Sequence, residues 1–555
     1  MLPPVLGTLS ALLGLWMGWG FISSSAATFD EPAHLARGVC YWKTGALLKN
    51  LDDHPPAAEM AAALPPALRP INFPPREAFD LPARQPAVSE RFLYGNTAAA
   101  DPLLNSARSF AFILWMAILA VATFLFVTRL EDRASGWLSL VFLFFNPVLL
   151  SNSALVTTDA GAAAFFMAAF LPAMLFSRDC GGGIKNRGGA LKLALAGLFT
   201  ALAMASKYSM ALLPLFVAIT LAADLLRGER RGAAVKTLKA VSVYAAATLI
   251  FLLLIYRVTD INLYFNGLFE TSKRVTGSKT SFINGLHLMD GVWWYFPYAF
   301  LVKNPLPTLL LAAVGLFYSF RKGKRSHLWI YAPAFLYLAF AMRSTFQIGV
   351  RHVLPLLPLL AAAAGIGARR LLENRRLRPA AWVLIALLAV SVLRVHPHYL
   401  AYFNEAAGGA ERGYLRLLDS NLDWGQGLKP LGQYLAKIGA PPVYLSYFGT
   451  ARPEYYGIRY VPLGGFGRPQ TPTGENPCLF TRHILAVSAT NLQNVYYADR
   501  RFFDWLRARK PDQVVGYSVF VYDITEDRAA MLKLAESLYR LGLPEQGRCL
   551  RKKII

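Results

Sequence analysis

The sequence predicts an α-helical polytopic membrane protein of about eleven transmembrane helices followed by a C-terminal α/β domain. Three observations predict it. Of the 555 residues, 55% are hydrophobic and only 16% charged, with a mean hydropathy of +0.37; soluble domains carry nearer ~25% charge. Apolar runs of membrane length recur up to residue 395. The formal charge of +24 is concentrated in short loops between those runs. This placement argues against nucleic acid as a partner, because no basic stripe with interleaved aromatics lies on a soluble domain.

In chain order the apolar runs lie near 3–24, 109–128, 136–152, 160–177, 191–206, 209–226, 240–256, 304–320, 328–343, 353–368 and 380–395. The first lacks the basic flank of a signal peptide and is long, so a retained helix is expected. With the N-terminus inside, the loops at 129–135, 178–190, 227–239, 321–327 and 369–379 all face the cytoplasm. They hold about twenty Lys and Arg, against about two in the short loops of the other side, as the positive-inside rule requires. The expected organisation is a membrane domain, 1–395, and an extracytoplasmic α/β domain, 396–555. The expected location is a bacterial inner membrane, with the active face extracytoplasmic.

Three long segments share the outer side. In 25–108, Ala57–Leu68 suggests a helix lying in the interface. Segment 257–303 ends in an aromatic belt, Trp293–Phe300. In the tail, 443–449, 483–489 and 514–524 read as buried strands, and Gly427–Ile438, Arg500–Arg509 and 526–541 as helices. Cys478 and Cys549 both fall in the tail, where a disulfide is one option.

The chemistry-bearing residues gather on the outer side. Asp30 and Glu31 follow the first apolar run directly. An acidic pair at a membrane surface is costly, so it suggests either a helix cap before Pro32 or a general base. Sugar transfer from a lipid phosphate needs a carboxylate to take the acceptor's proton and cations to stabilise the departing phosphate. His34 lies four residues on, on the same helical face as Asp30, and is either structural or substrate-binding. His54-Pro55-Pro56, preceded by Asp52 and Asp53, is either a loop corner or a rigid turn aiming His54 at the site. Asp159, in a short outer loop, is either a helix N-cap or a second acidic group of the site. Lys207 and Arg351-His352 start apolar runs on the outer side. Each either snorkels to the interface or binds a phosphate, for which a guanidinium is well shaped. Lys303 and Asn304 are weaker candidates of that kind. Asp419, Asn421 and Asp423 lack the spacing of a calcium loop, and Asp423 or Trp424 is expected to cap a helix.

Phe29-Asp30-Glu31, His34, Tyr41, Gly45 and His54-Pro55-Pro56, in this order after the first span, together with the Asp159 loop, resemble the lipid-carrier-dependent membrane glycosyltransferases. That family includes the protein O-mannosyltransferases and, more distantly, the lipid A aminoarabinose transferases. The resemblance covers residues 1–400, and Asp419–Gln426 also looks like bacterial members. It implies a GT-C type fold and a polyprenyl-phosphate sugar donor. It makes Asp30 first, then Glu31, and Asp159 in the second loop, catalytic. Segment 257–303 is too short for the β-trefoil insertion of the eukaryotic mannosyltransferases, which leaves the acceptor open between protein and glycan. A divalent cation also stays open.

The expected function is therefore sugar transfer to an acceptor hydroxyl, inverting at the anomeric carbon. A transporter or flippase of a lipid-linked sugar is the competing class; its ionisable groups belong at mid-membrane on broken, repeated helices. Charges gathered at one surface favour an enzyme. A ligase moving a whole glycan is a third option, and a binding protein needs far fewer spans.

Overall fold

The computed structural model describes residues 2–47, 54–79, 85–180, 183–184, 188–227, 232–276, 280–321, 325–466 and 474–553. Asp52 and Asp53 lie outside them. The helices of the membrane part are α1 Leu2–Ser24, α2 Glu31–Thr44, α3 Ala57–Ala67, α4 Gln85–Tyr94, α5 Ala100–Leu130, α6 Arg133–Phe144, α7 Pro147–Ser153, α8 Asp159–Cys180 and α9 Gly189–Met204. There follow α10 Leu213–Leu226, α11 Ala233–Ile255, α12 Ile261–Thr276, α13 Tyr295–Lys303, α14 Leu306–Arg321, α15 Leu328–Ala341, α16 Leu357–Glu373 and α17 Arg378–Leu393.

Among the described residues, six helices are long and apolar enough to cross a membrane: α1, α5, α8, α11 and the segments Tyr208–Leu226 and Val350–Glu373. Two bent pairs, α6 with α7 at 68° and α13 with α14 at 112°, bring the number to eight if each is counted as one span, and α9, α15 and α17 are shorter apolar helices. Each apolar run of the sequence corresponds to one of these. The first bend corrects the run 136–152, which the sequence suggested was a single span; the second lies at the start of the run 304–320. Both occur at Asn-Pro: Asn146 caps α7 by accepting from the amides of Val148 and Leu149, and Asn304 precedes Pro305. Asn146 Nδ2 donates to Asn304 Oδ1 at 2.7 Å, so the two breaks support each other. α14 and α16 come close enough that a Cβ on Gly315 would meet the Ala363 carbonyl oxygen at 2.0 Å. Only glycine fits there.

The loops rich in Lys and Arg meet at one end of the bundle. Glu131 pairs with Arg370 at 2.6 Å and with His327 at 2.5 Å. The opposite end carries α2–α4, with α3 where the interfacial helix is expected. One face of α3 is buried and includes Glu59, whose carboxylate finds there the partners that burial requires, Arg37 and His34. Gly38 of α2 lets α3 approach, since a Cβ there would lie 2.4 Å from the Glu59 carbonyl oxygen.

Segment 257–303 also holds a hairpin missed at first, β1 Ser281–Ile283 and β2 Leu286–Leu288. Its turn is Asn284-Gly285, both with positive φ, the pairing that a tight hairpin turn requires. In the tail, β3 Val443–Ser446, β4 Tyr460–Pro462, β5 Ile484–Ser488, β6 Gln513–Val515 and β7 Val519–Asp523 form one sheet in the order β4-β3-β5-β7-β6. β3 runs parallel to β4 and β5, while β7 is antiparallel to β5 and β6. The run 514–524 is thus two strands around a turn at Gly516-Tyr517, not one. Helices Leu428–Lys437 and Arg528–Arg540 fall where expected, but only Asp504–Arg507 of the Arg500–Arg509 stretch is helical. A last helix, Pro544–Lys552, packs on Arg528–Arg540 and carries Cys549, which is disulfide-bonded to Cys478.

Candidate active site

Asp30 sits at the N-terminus of α2, yet its side chain caps nothing. Instead its Oδ2 accepts from Arg351 Nη1 at 3.2 Å. The same guanidinium nitrogen lies 3.5 Å from Asp159 Oδ2, and Lys207 Nζ donates to Asp159 Oδ1. Four residues from four separate segments therefore form one cluster of two carboxylates and two cations. The first loop, the start of α8, the turn before Tyr208–Leu226 and the start of the Val350–Glu373 segment supply one each. Asp159 is 1% exposed at its side chain, whereas Asp30 is 29% exposed. That difference decides which carboxylate a substrate can reach.

Glu31, which the sequence pairs with Asp30 as catalytic, does something else here. It is fully buried, with Oε1 accepting from Arg108 Nε at 2.8 Å and the Val156 amide at 2.9 Å. Oε2 accepts from Arg108 Nη2 at 2.5 Å and the Thr28 amide at 2.8 Å. Burial opposes its ionisation, but the Arg108 guanidinium and these amides together hold the carboxyl below its ordinary range. With its acceptor positions occupied, Glu31 fastens the first loop to α5 and to the second loop. Arg108 was missed because it falls at the edge of an apolar run; a lone cation in a membrane-length helix was the available signal.

His34 Nδ1 lies 2.7 Å from Glu59 Oε1, beside Arg37. The His54 ring centroid stands 5.1 Å from that of His34, and His54 Nδ1 lies 3.3 Å from Thr158 Oγ1. Burial first, then the neighbouring His34, Arg37 and Lys207, pushes the His54 imidazole well below its ordinary pKa, so it stays neutral. His34 is thus buried against Glu59 and Arg37, while His54 is half-buried beside the second loop. The half-buried His352 ring stands edge-on to Phe296 and Phe346. Lys303 is no phosphate ligand in this arrangement: its Nζ donates to the carbonyls of Leu400, at 2.9 Å, and Asn421.

The tail closes the cluster. Arg351 Nε donates to Ser420 Oγ at 3.1 Å, and its guanidinium carbon lies 4.2 Å from the centre of the Trp424 ring system. Asp423 does not cap the following helix, as expected from sequence; Gly427 occupies that position. Its Oδ2 accepts from the Thr490 amide at 2.9 Å. Burial pushes Asp423 up to about 7 and Asp419 up to about 6. Among the described residues no group of three or more His, Cys, Asp or Glu is placed to hold a metal ion.

A pH dependence follows. Carboxyls raised in the folded state bind protons that the unfolded chain has already lost, so stability should fall as pH rises from about 4 to about 7 and level off above. Asn at 423 keeps the acceptor for Thr490 and removes the charge. Asp423→Asn should flatten the profile and raise stability at pH 8 by roughly 1–3 kcal/mol. Melting in detergent from pH 5 to 8 checks this; parallel profiles for the two proteins would remove Asp423 as the cause.

Residues 101–265 match the family model described as dolichyl-phosphate-mannose-protein mannosyltransferase. No curated protein matches. Among solved structures, ArnT from Cupriavidus metallidurans in the apo state is 14% identical, with a TM-score of 0.47 over 94% of this chain and 97% of that one. The same protein bound to undecaprenyl phosphate is 13% identical, with a TM-score of 0.45 over 94% and 98%. The Archaeoglobus fulgidus oligosaccharyltransferase in its apo form is 9% identical, with a TM-score of 0.43 over 90% and 71%. The matched family segment runs from α5, with Arg108, through Asp159 and Lys207 to α12. Over that segment the chain is similar to the dolichyl-phosphate-mannose-protein mannosyltransferases, in line with the resemblance of its first-loop residues.

Proposed function

We propose that the protein transfers a sugar from a polyprenyl-phosphate donor to an acceptor hydroxyl of a protein or glycan, on the extracytoplasmic face of a bacterial inner membrane. The observation that carries this is a single accessible carboxylate, Asp30, beside Arg351, Lys207 and buried Asp159. Asp30 takes the proton of the acceptor hydroxyl as that oxygen attacks the anomeric carbon. The anomeric bond to the phosphate oxygen breaks in the same displacement, so configuration inverts. The charge left on the carrier phosphate is stabilised by Arg351 and Lys207 in a partly dry site, where such contacts are strong. Asp159 keeps the two cations in place before the donor arrives. The basic loops at the far end of the bundle support this sidedness.

Arg351 is the test. Arg351→Ala should weaken donor binding about 10- to 100-fold, the range for lost hydrogen bonds to a charged group, and Arg351→Lys should restore only part of it. Donor affinity measured for each folded variant checks this. Unchanged affinity in Arg351→Ala would remove the phosphate from this cluster.

A further inference from the structure

The tail segment Asp419–Gln426 is built into the cluster rather than resting near it. Asn421 anchors it: Oδ1 accepts from the Val350 amide at 2.8 Å, and Nδ2 donates to Tyr295 Oη at 3.0 Å. Lys303, buried and without a carboxylate partner among the described residues, donates to the Asn421 carbonyl. Two backbone hydrogen bonds then tie the far end of the segment to the first loop: Ala26 to the Gln426 carbonyl at 3.0 Å and Phe29 to the Trp424 carbonyl at 2.8 Å. The second of these fixes the residue next to Asp30.

Against this frame Arg351 has two restraints that neither carboxylate supplies. Ser420 Oγ donates to the Ile348 carbonyl at 2.8 Å and accepts from Arg351 Nε at 3.1 Å, which sets the direction of the guanidinium plane. The Trp424 ring, 2% exposed, lies 4.2 Å from the guanidinium carbon. That distance is within cation–π range, and burial strengthens the attraction.

We propose that Ser420 and Trp424 are positioning residues, which hold Arg351 where a lipid phosphate binds, so that the C-terminal domain completes the donor site. This rests on the function proposed above. An arginine that loses these restraints can still pair with Asp30 and Asp159, but nothing then fixes the direction of its guanidinium plane toward a bound phosphate. A residue acting only through Arg351 has a distinctive signature: its removal is silent once Arg351 is gone.

The experiment measures binding of a sugar-free polyprenyl phosphate, and KM and kcat for the donor, on the full chain in detergent. Trp424→Leu should weaken polyprenyl-phosphate binding and raise donor KM by about 10- to 30-fold, the loss expected of a buried cation–π contact, with a smaller change in kcat. Trp424→Phe, which keeps an aromatic face, should recover most of the binding. Ser420→Ala should cost about threefold to tenfold, as one hydrogen bond to a charged group does. In an Arg351→Ala background, Trp424→Leu should add nothing. Wild-type binding in Trp424→Leu, or equal losses in both backgrounds, would overturn the positioning role while leaving the proposed function standing. A folded wild-type protein that binds no polyprenyl phosphate would overturn both. Should Trp424→Leu fail to fold, the same comparison with Ser420→Ala, alone and with Arg351→Ala, decides the matter by the same criterion.

Discussion

Asp30→Asn should leave the protein folded and its donor binding largely intact while lowering turnover by roughly 10²–10⁴, the range for loss of a general base. Asparagine keeps the size of the side chain and an oxygen that can accept from Arg351, but it cannot take a proton. Donor binding should survive because the phosphate contacts belong to Arg351 and Lys207. Turnover of each folded variant, with donor binding measured in parallel, checks the assignment. Near-normal turnover in Asp30→Asn would sink it. If Asp159→Asn were the only inactive variant, the base would lie in the second loop.

The second large effect is on stability. Glu31 and Arg108 are both fully buried and engage each other through two pairs of atoms. Arg108 also donates to the carbonyls of Ser25, at 3.0 Å, and Ala26, at 2.8 Å. Removing one partner leaves an uncompensated buried charge, a loss of about 3–5 kcal/mol. Arg108→Ala should therefore lower the yield of folded protein and its melting temperature in detergent much more than Asp30→Asn does. Glu31→Gln should do the same to a lesser extent, because Gln still offers one acceptor oxygen to the guanidinium. An unchanged melting temperature in Arg108→Ala would contradict the fastening role and return Glu31 to the list of candidate bases.

The contrast between Asp30 and Glu31 marks where sequence reasoning runs out. As adjacent carboxylates after the same apolar run they share one pattern, and only burial separates them: one faces the open side, the other faces Arg108 and the Thr28 and Val156 amides. The membrane part was legible because length and hydropathy alone define a span. Both bends carry Asn-Pro pairs in the sequence, but the hydropathy run 136–152 passes over the first. That Asp30, Asp159, Lys207 and Arg351 lie on one side followed from loop order. That they touch did not, since it depends on how helices pack. The role of the tail was hidden for the same reason. Ser420 and Trp424 meet Arg351 across about seventy residues of chain, and nothing local in Asp419–Gln426 distinguishes a strut from a helix start. Glu59 is a similar case: its partners Arg37 and His34 lie on a neighbouring helix, where no local pattern shows them.

The most direct test of the whole account is release of free carrier. Purified full-length protein in detergent would be given a panel of polyprenyl-phosphate hexoses and pentoses, with a solubilised membrane fraction as acceptor, and unglycosylated polyprenyl phosphate would be quantified over time. The account predicts that wild type releases carrier from at least one donor, matched by sugar gained on acceptor, and that Asp30→Asn releases it roughly 10²–10⁴ times more slowly. Release at equal rates from both proteins, or none from any donor by folded wild type, would contradict it.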